Sequence, residues 1–186
     1  MKENPFTIGF DDAAFQLKSS VKTTKLIGVI CQGTRMTNVL KTDISIDGFD
    51  GTEKVIKLVK ENEKHIQYIL THSITFGGFN IIDLEEIYNE LGKPIIAVTE
   101  KKVEIETVIK ALVDNFPDES QRKIQYILNA GNLFELDIQT AGGFSKIYLH
   151  VKGMEIEKVE LLLQKVSIDS KLPECIRIAH LIGKIF

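Results

Sequence analysis

The sequence has no excess of positive charge, no long apolar run and no paired-cysteine motif, and each absence removes a class of protein. Lysine and arginine number 23 against 26 aspartate and glutamate, for a formal net charge of −3. No overall positive field therefore draws the chain onto nucleic acid. That argues against a stoichiometric DNA coat, but not against an enzyme that holds a few phosphates through metal ions and a local patch. The two cysteines, Cys31 and Cys175, form no CxxC pair and have no zinc-like spacing. Both are expected to be free thiols, buried or half-buried. No apolar run approaches the ~18 residues that span a membrane. Met1 to Phe10, with Lys2, Glu3 and Pro5, lacks the apolar core of a signal peptide. The expected location is the cytoplasm, with no membrane partner. Ser19, Ser20 and the other serines stand in no nucleophile-elbow context, so serine hydrolase chemistry has no support.

What is present is ordinary globular composition: 186 residues, 44% hydrophobic and 26% charged. With no internal repeat and no linker long enough to mark a boundary, the expectation is one domain over 1–186. Phe6 to Phe10, Lys25 to Ile30 and Thr37 to Ile46 read as three strands, and their short links predict an antiparallel meander. Asp50 and Glu53 have the spacing of a capping box, and Val55, Leu58 and Val59 follow at helical period. Ile66 to Thr71 is a fourth strand. Leu84, Ile87, Tyr88 and Leu91 form the apolar face of a second helix, with Asp83 and Glu86 as its capping box and Gly92 as its stop. Pro94 to Val98 is a fifth strand. A meander followed by two helical crossovers gives a mixed sheet. That is the element order of an α/β RNase H-like fold. The second half adds helices over 104–113 and 118–128, strands over 133–138 and 146–151 around Gly142-Gly143, and two closing helices over 155–166 and 174–186.

In such a sheet, acids at the end of the first strand, the start of the first helix and the end of the fourth strand converge. They hold divalent ions that orient water and stabilise the oxygens of a phosphodiester, and oxygen ligands suit Mg²⁺ or Mn²⁺. Here the first strand ends in Asp11 and Asp12, and the turn before the first helix carries Asp47, Asp50 and Glu53. The fourth strand ends in Thr71-His72-Ser73, with no acid. His72 can ligate Mn²⁺ or orient a water, but a neutral imidazole does not restore the missing negative charge. Asp11, Asp12, Asp47, Asp50 and His72 are the candidate catalytic residues, with Asp11, Asp47 and Asp50 as metal ligands. Asp50 with Glu53 also serves as a helix cap, and Asp47-Gly48 as a turn, without any metal.

Four stretches carry a resemblance over nearly the whole chain: Gly9-Phe10-Asp11-Asp12, Asp47-Gly48-Phe49-Asp50-Gly51-Thr52, Ile74 through Asp83, and Leu172-Pro173-Glu174-Cys175-Ile176-Arg177-Ile178-Ala179-His180. They resemble the archaeal endonuclease dU family, long catalogued as a domain of unknown function and distantly similar to endonuclease V. The resemblance implies an endonuclease V-like fold, DNA repair, and metal-dependent cleavage of DNA beside deaminated bases such as uracil or hypoxanthine. It also implies Asp11 as the first metal ligand and Asp47 or Asp50 near the second. The partner implied is DNA, with RNA as the alternative. Where endonuclease V has Asp-Gly at the end of the fourth strand, this chain has His72-Ser73. A second hypothesis of another class follows from that departure: a non-catalytic nucleic-acid-binding or protein-interaction module that keeps the fold.

Gly77-Gly78 before a helix offers backbone N–H groups to a phosphate or base, and Phe76 and Phe79 offer rings to flank a flipped base. Together with Asn80 and Arg177 these are the candidate substrate-binding residues. No Gly-Lys-Ser/Thr follows the pair, which excludes a P-loop. Arg177, His180 and Lys184 share one face of the last helix, suited to a nucleic-acid backbone or simply to solvent. His65 and His150 have no partner at a telling spacing and read as incidental.

Overall fold

The computed structural model describes residues 1–15 and 21–186; Ser19 and Ser20 lie outside the described residues. The meander forms as expected: β1 (Phe6–Asp12), β2 (Thr23–Gln32) and β3 (Arg35–Ser45) pair antiparallel in sequence. Helix α1 (Gly51–Glu61) leads to β4 (Tyr68–His72), and α2 (Leu84–Leu91) leads to β7 (Ile95–Thr99). These two crossovers place β4 parallel to β1 and β7 parallel to β4. Between β4 and α2 lies a small hairpin of β5 (Thr75–Phe76) and β6 (Asn80–Ile81), where the sequence suggests only a loop.

The remaining elements are α3 (Ile105–Asn115), α4 (Ser120–Ala130), β8 (Phe134–Thr140), β9 (Gly143–Lys152), α5 (Ile156–Val166) and α6 (Glu174–Gly183). Strand β9 adds antiparallel to β7 and β8 closes the edge, giving a seven-stranded mixed sheet of order β3-β2-β1-β4-β7-β9-β8. Among the described residues no helix is long and apolar enough to cross a membrane.

Side chains alternate across the sheet, so β2, β4 and β7 each feed two cores. Ile8, Phe10, Leu26 and Ile69 pack with Val55, Val59 and Ile87 of the first two helices. Ile27, Val29, Leu70 and Val98 pack on the opposite face with Leu162, Leu163, Cys175 and Ile176 of α5 and α6. Burial pushes the Cys31 thiol up to about 12 and the Cys175 thiol up to about 11, as for inert core cysteines. Gly9 decides how closely α6 approaches: a Cβ there would lie 2.5 Å from the Cys175 carbonyl carbon and 2.6 Å from the Ile176 nitrogen.

Helix caps divide the expectations. Asp83 caps α2, accepting from the backbone N–H of Glu85 and Glu86 at 3.0 and 3.1 Å, and Gly92 ends it in the left-handed region at φ 60°. Asp50 does not cap α1. Its carboxylate turns back to Ser45 and Asn80, which compete successfully for it. α6 ends at Gly183, short of Phe186.

Candidate metal and base site

The three central strands run parallel, so β1, β4 and β7 finish at the same edge of the sheet, where open α/β sheets bind ligands. β1 delivers Asp11 and Asp12 there, and β4 delivers His72. α6 crosses the end of β1 and brings in His180. Asp11 is 3% exposed. Its Oδ2 lies 2.7 Å from His180 Nδ1 and its Oδ1 lies 3.2 Å from His72 Nδ1. The two imidazoles meet edge to face, with centroids 5.6 Å apart. Hydrogen bonding to Asp11 raises the His72 pKa against the opposing effect of burial, with Glu100 and Asp12 adding to the rise.

One ligand atom from each of Asp11, His72 and His180 falls within 4.8 Å of the others, a spacing that suits one cation. Among the described residues Asp47 and Asp50 do not join this group. The cluster is one carboxylate and two imidazoles, and it differs from the Asp11, Asp47 and Asp50 ligands expected from sequence. His180 was legible only as a member of a basic helix face. Its partner is 169 residues away, and no local pattern signals that pairing.

Asp12 stands beside the trio and ties it to the hairpin, accepting from the Gly77 N–H at 2.8 Å. Burial pushes its carboxyl up to about 6; the Gly77 bond opposes this and the neighbouring Asp11 adds to it. Ala13, Ala14, Phe15, Gly183 and Lys184 complete a recess of about 380 Å³ around Asp11, Asp12, His72 and His180.

A second, mostly apolar cavity of about 590 Å³ opens alongside, and Phe15 lines both. Phe79 and Phe116 meet edge to face at its wall, with ring centroids 5.4 Å apart, beside Ile74, Val108, Ser73 and His150. Asp47 and Gly78 shape its mouth. Asp47 adopts φ 57° and accepts from the Phe79 N–H at 2.8 Å, and a Cβ at Gly78 would come within 2.3 Å of Asp47 Oδ1. Ser73, next to His72, holds φ 75°, a conformation that glycine adopts more readily.

Lys123, fully buried, pins this loop system. Its ammonium donates to the carbonyls of Asp47, Gly48 and Phe79 at 2.7, 3.0 and 2.8 Å and sits 4.0 Å from the centre of the Phe49 ring. Burial lowers its pKa, while Glu119 and Asp47 pull the other way.

The other expected substrate residues are placed as follows. Phe76 is 1% exposed and packs in the main core. Gly77 supplies its N–H to Asp12. Asn80 is buried, accepting from Gly51 N–H at 3.0 Å and donating to Ser45 O and Asp50 Oδ1 at 2.9 and 2.7 Å. Arg177 makes a two-pronged ion pair with the buried Glu174 at 2.8 and 2.7 Å, which raises its already high pKa.

The mixed sheet with its flanking helices is the fold of endonuclease V. The Ciona intestinalis endonuclease V, solved with a 24mer DNA containing an inosine followed by a ribo-adenosine, superposes with a TM-score of 0.59 at 12% identity, over 95% of this chain and 82% of that one. A crystal structure of a protein of unknown function from Archaeoglobus fulgidus superposes with a TM-score of 0.83 at 26% identity, covering 96% of both chains. A UPF0215 protein of Methanocaldococcus jannaschii is 38% identical over 188 residues, covering 100% of this chain and 96% of its own. Residues 6–186 match the endonuclease dU family, and the chain belongs to it.

Proposed function

We propose that the chain is a metal-dependent endonuclease that cuts DNA carrying a deaminated base such as uracil or hypoxanthine. The observation that carries this reading is the junction at Phe15 between the Asp11–His72–His180 recess and the aromatic cavity. An enzyme that acts beside a damaged base takes the base out of the stack into a pocket between apolar and aromatic walls. The cavity has a fitting size and lining, and the recess beside it would receive the adjoining phosphodiester. The family's description and the inosine-containing DNA bound to the Ciona relative support the substrate class.

The donor set fits a divalent ion. One carboxylate and two imidazoles suit Mn²⁺ better than Mg²⁺, which favours oxygen ligands throughout. Asp11 would hold the ion centrally, with His72 and His180 as nitrogen ligands. When bound, such an ion supplies Lewis-acid stabilisation of a phosphoryl oxygen and a water acidic enough to attack phosphorus at neutral pH. The chain's own residues do the positioning. Asp12 braces the hairpin turn against the trio through Gly77. Lys184, on the rim of the recess, offers a cation to a phosphate. Phe79 and Phe116 offer their faces to the base, and the strand would run over the Gly77-to-Asn80 turn. In this reading Asp47 and Asp50 shape that turn and are not ligands.

The test is nicking of a labelled oligonucleotide carrying one uracil or one hypoxanthine. Cleavage beside the lesion, stronger with Mn²⁺ than with Mg²⁺ and reduced at least about a hundredfold by Asp11→Asn, is the expected result. Failure to cut either lesion with either metal would leave the fold serving a non-catalytic module.

A further inference from the structure

One polar side chain in the cavity has half of its hydrogen-bonding capacity committed and half open. His150 lies on β9, is 6% exposed and lines the cavity. Its Nδ1 sits 3.1 Å from both the Gly131 and the Asn132 carbonyl oxygens. Two acceptors facing one ring nitrogen require that nitrogen to carry the proton. The neutral ring then has its lone pair on Nε2. Burial lowers the His150 pKa, the two carbonyl bonds only partly offsetting it, so the ring stays neutral and Nε2 stays an acceptor. Among the described residues nothing pairs with Nε2, the atom is not fully buried, and the residue lines the cavity.

The bases at issue differ at one ring position. Deamination of cytosine turns N3 from a lone-pair acceptor into N3–H, and deamination of adenine does the same at N1. A fixed acceptor on a pocket wall separates each deaminated base from its parent. We propose that His150 reads the base: its Nε2 accepts a hydrogen bond from the ring N–H that uracil and hypoxanthine carry and that cytosine and adenine lack. This rests on the cavity being a base pocket.

The parent bases would set a lone pair against the His150 lone pair. Much of the neighbouring wall, Ile74, Val103, Ile105, Val108 and Phe116, offers no polar side-chain atom as a substitute partner. Leaving both acceptors unpaired in a buried site costs about tenfold to a hundredfold in affinity. Thymine and guanine carry the same N–H, so their refusal falls to groups other than His150.

Binding without metal tests this apart from cleavage. Affinities of the full chain for single-stranded oligonucleotides containing one uracil, one cytosine or one 3-methyluracil would be measured in EDTA, for wild type, His150→Leu and His150→Gln. Wild type should favour uracil over both other bases by about tenfold or more. His150→Leu should bring uracil and cytosine within about twofold of each other, and His150→Gln, which can both donate to a carbonyl and accept from a base, should keep part of the preference. Equal binding of uracil and cytosine by wild type would overturn the assignment, as would an undiminished preference in His150→Leu. Should His150→Leu fail to fold by circular dichroism, the His150→Gln and 3-methyluracil comparisons decide. A preference that depends on His150 in a protein that cuts neither lesion would sink the endonuclease reading and leave the base-reading role standing.

Discussion

Asp12 is held in a conformation that opposes its own charge. Its carboxyl is pushed up to about 6 from an ordinary 3.8, chiefly by burial. Between those values the unfolded chain has already lost the proton that the folded chain retains. The contribution to stability is therefore fully present below pH 3.8 and is lost as pH rises through about 6. His72, whose pKa is raised by Asp11, acts in the same direction at higher pH: its contribution is present below 6.5 and lost as pH rises through its raised value. Asp12→Asn keeps an oxygen for the Gly77 N–H and removes the charge. In the metal-free protein it should raise stability at pH 7 by on the order of 1–2 kcal/mol and change little at pH 4. Urea unfolding of both proteins at the two pH values checks this. Lys123 is the opposite case, a buried charge whose hydrogen bonds are all satisfied. Lys123→Met leaves three carbonyls without their donor and should cost about 3 kcal/mol, measurable by the same unfolding, with a loss of affinity for uracil-containing strands.

At the scale of elements, α6 governs the site through its seat on β1. Gly9→Ala would place a methyl group 2.5 Å from the Cys175 backbone, so the helix must lift and carry His180 away from Asp11. The expected cost is about 1–3 kcal/mol of stability, with a larger proportional loss of Mn²⁺-dependent nicking. Comparing unfolding midpoints with nicking rates separates the two effects. The same elements show what can be read from sequence alone. The meander, α2 and β7 were legible because apolar period, the Asp83 cap and the Gly92 stop are local signals. The β5–β6 hairpin was not, since strands of two residues have no period. Asp50 resembled a cap because its spacing to Glu53 is right, but Asn80, thirty positions on, claims its carboxylate. Asp11 and His72 could be placed at neighbouring strand ends from topology. His180 and His150 gained their meaning only from partners far along the chain.

For the whole molecule, a formal net charge of −3 means that the DNA binding proposed above would depend on local chemistry. Metal should therefore matter to the fold as well as to the site. An ion held by Asp11, His72 and His180 would link β1, β4 and α6, and binding only to the folded state would add about 2.7 kcal/mol at a hundredfold excess over Kd. For a chain of this length that is about 5–10 °C in melting temperature. The shift should vanish in Asp11→Asn, as a thermal scan with and without Mn²⁺ would reveal.

The 169-residue separation of Asp11 from His180 also bears on synthesis. The sheet's central strands leave the ribosome early and can pair while the chain is still being made. The third member of the cluster, His180 on α6, follows every strand of the sheet. A product interrupted between the end of β9 at Lys152 and His180 would hold all seven strands of the sheet without the complete trio, and so without the cutting centre proposed above.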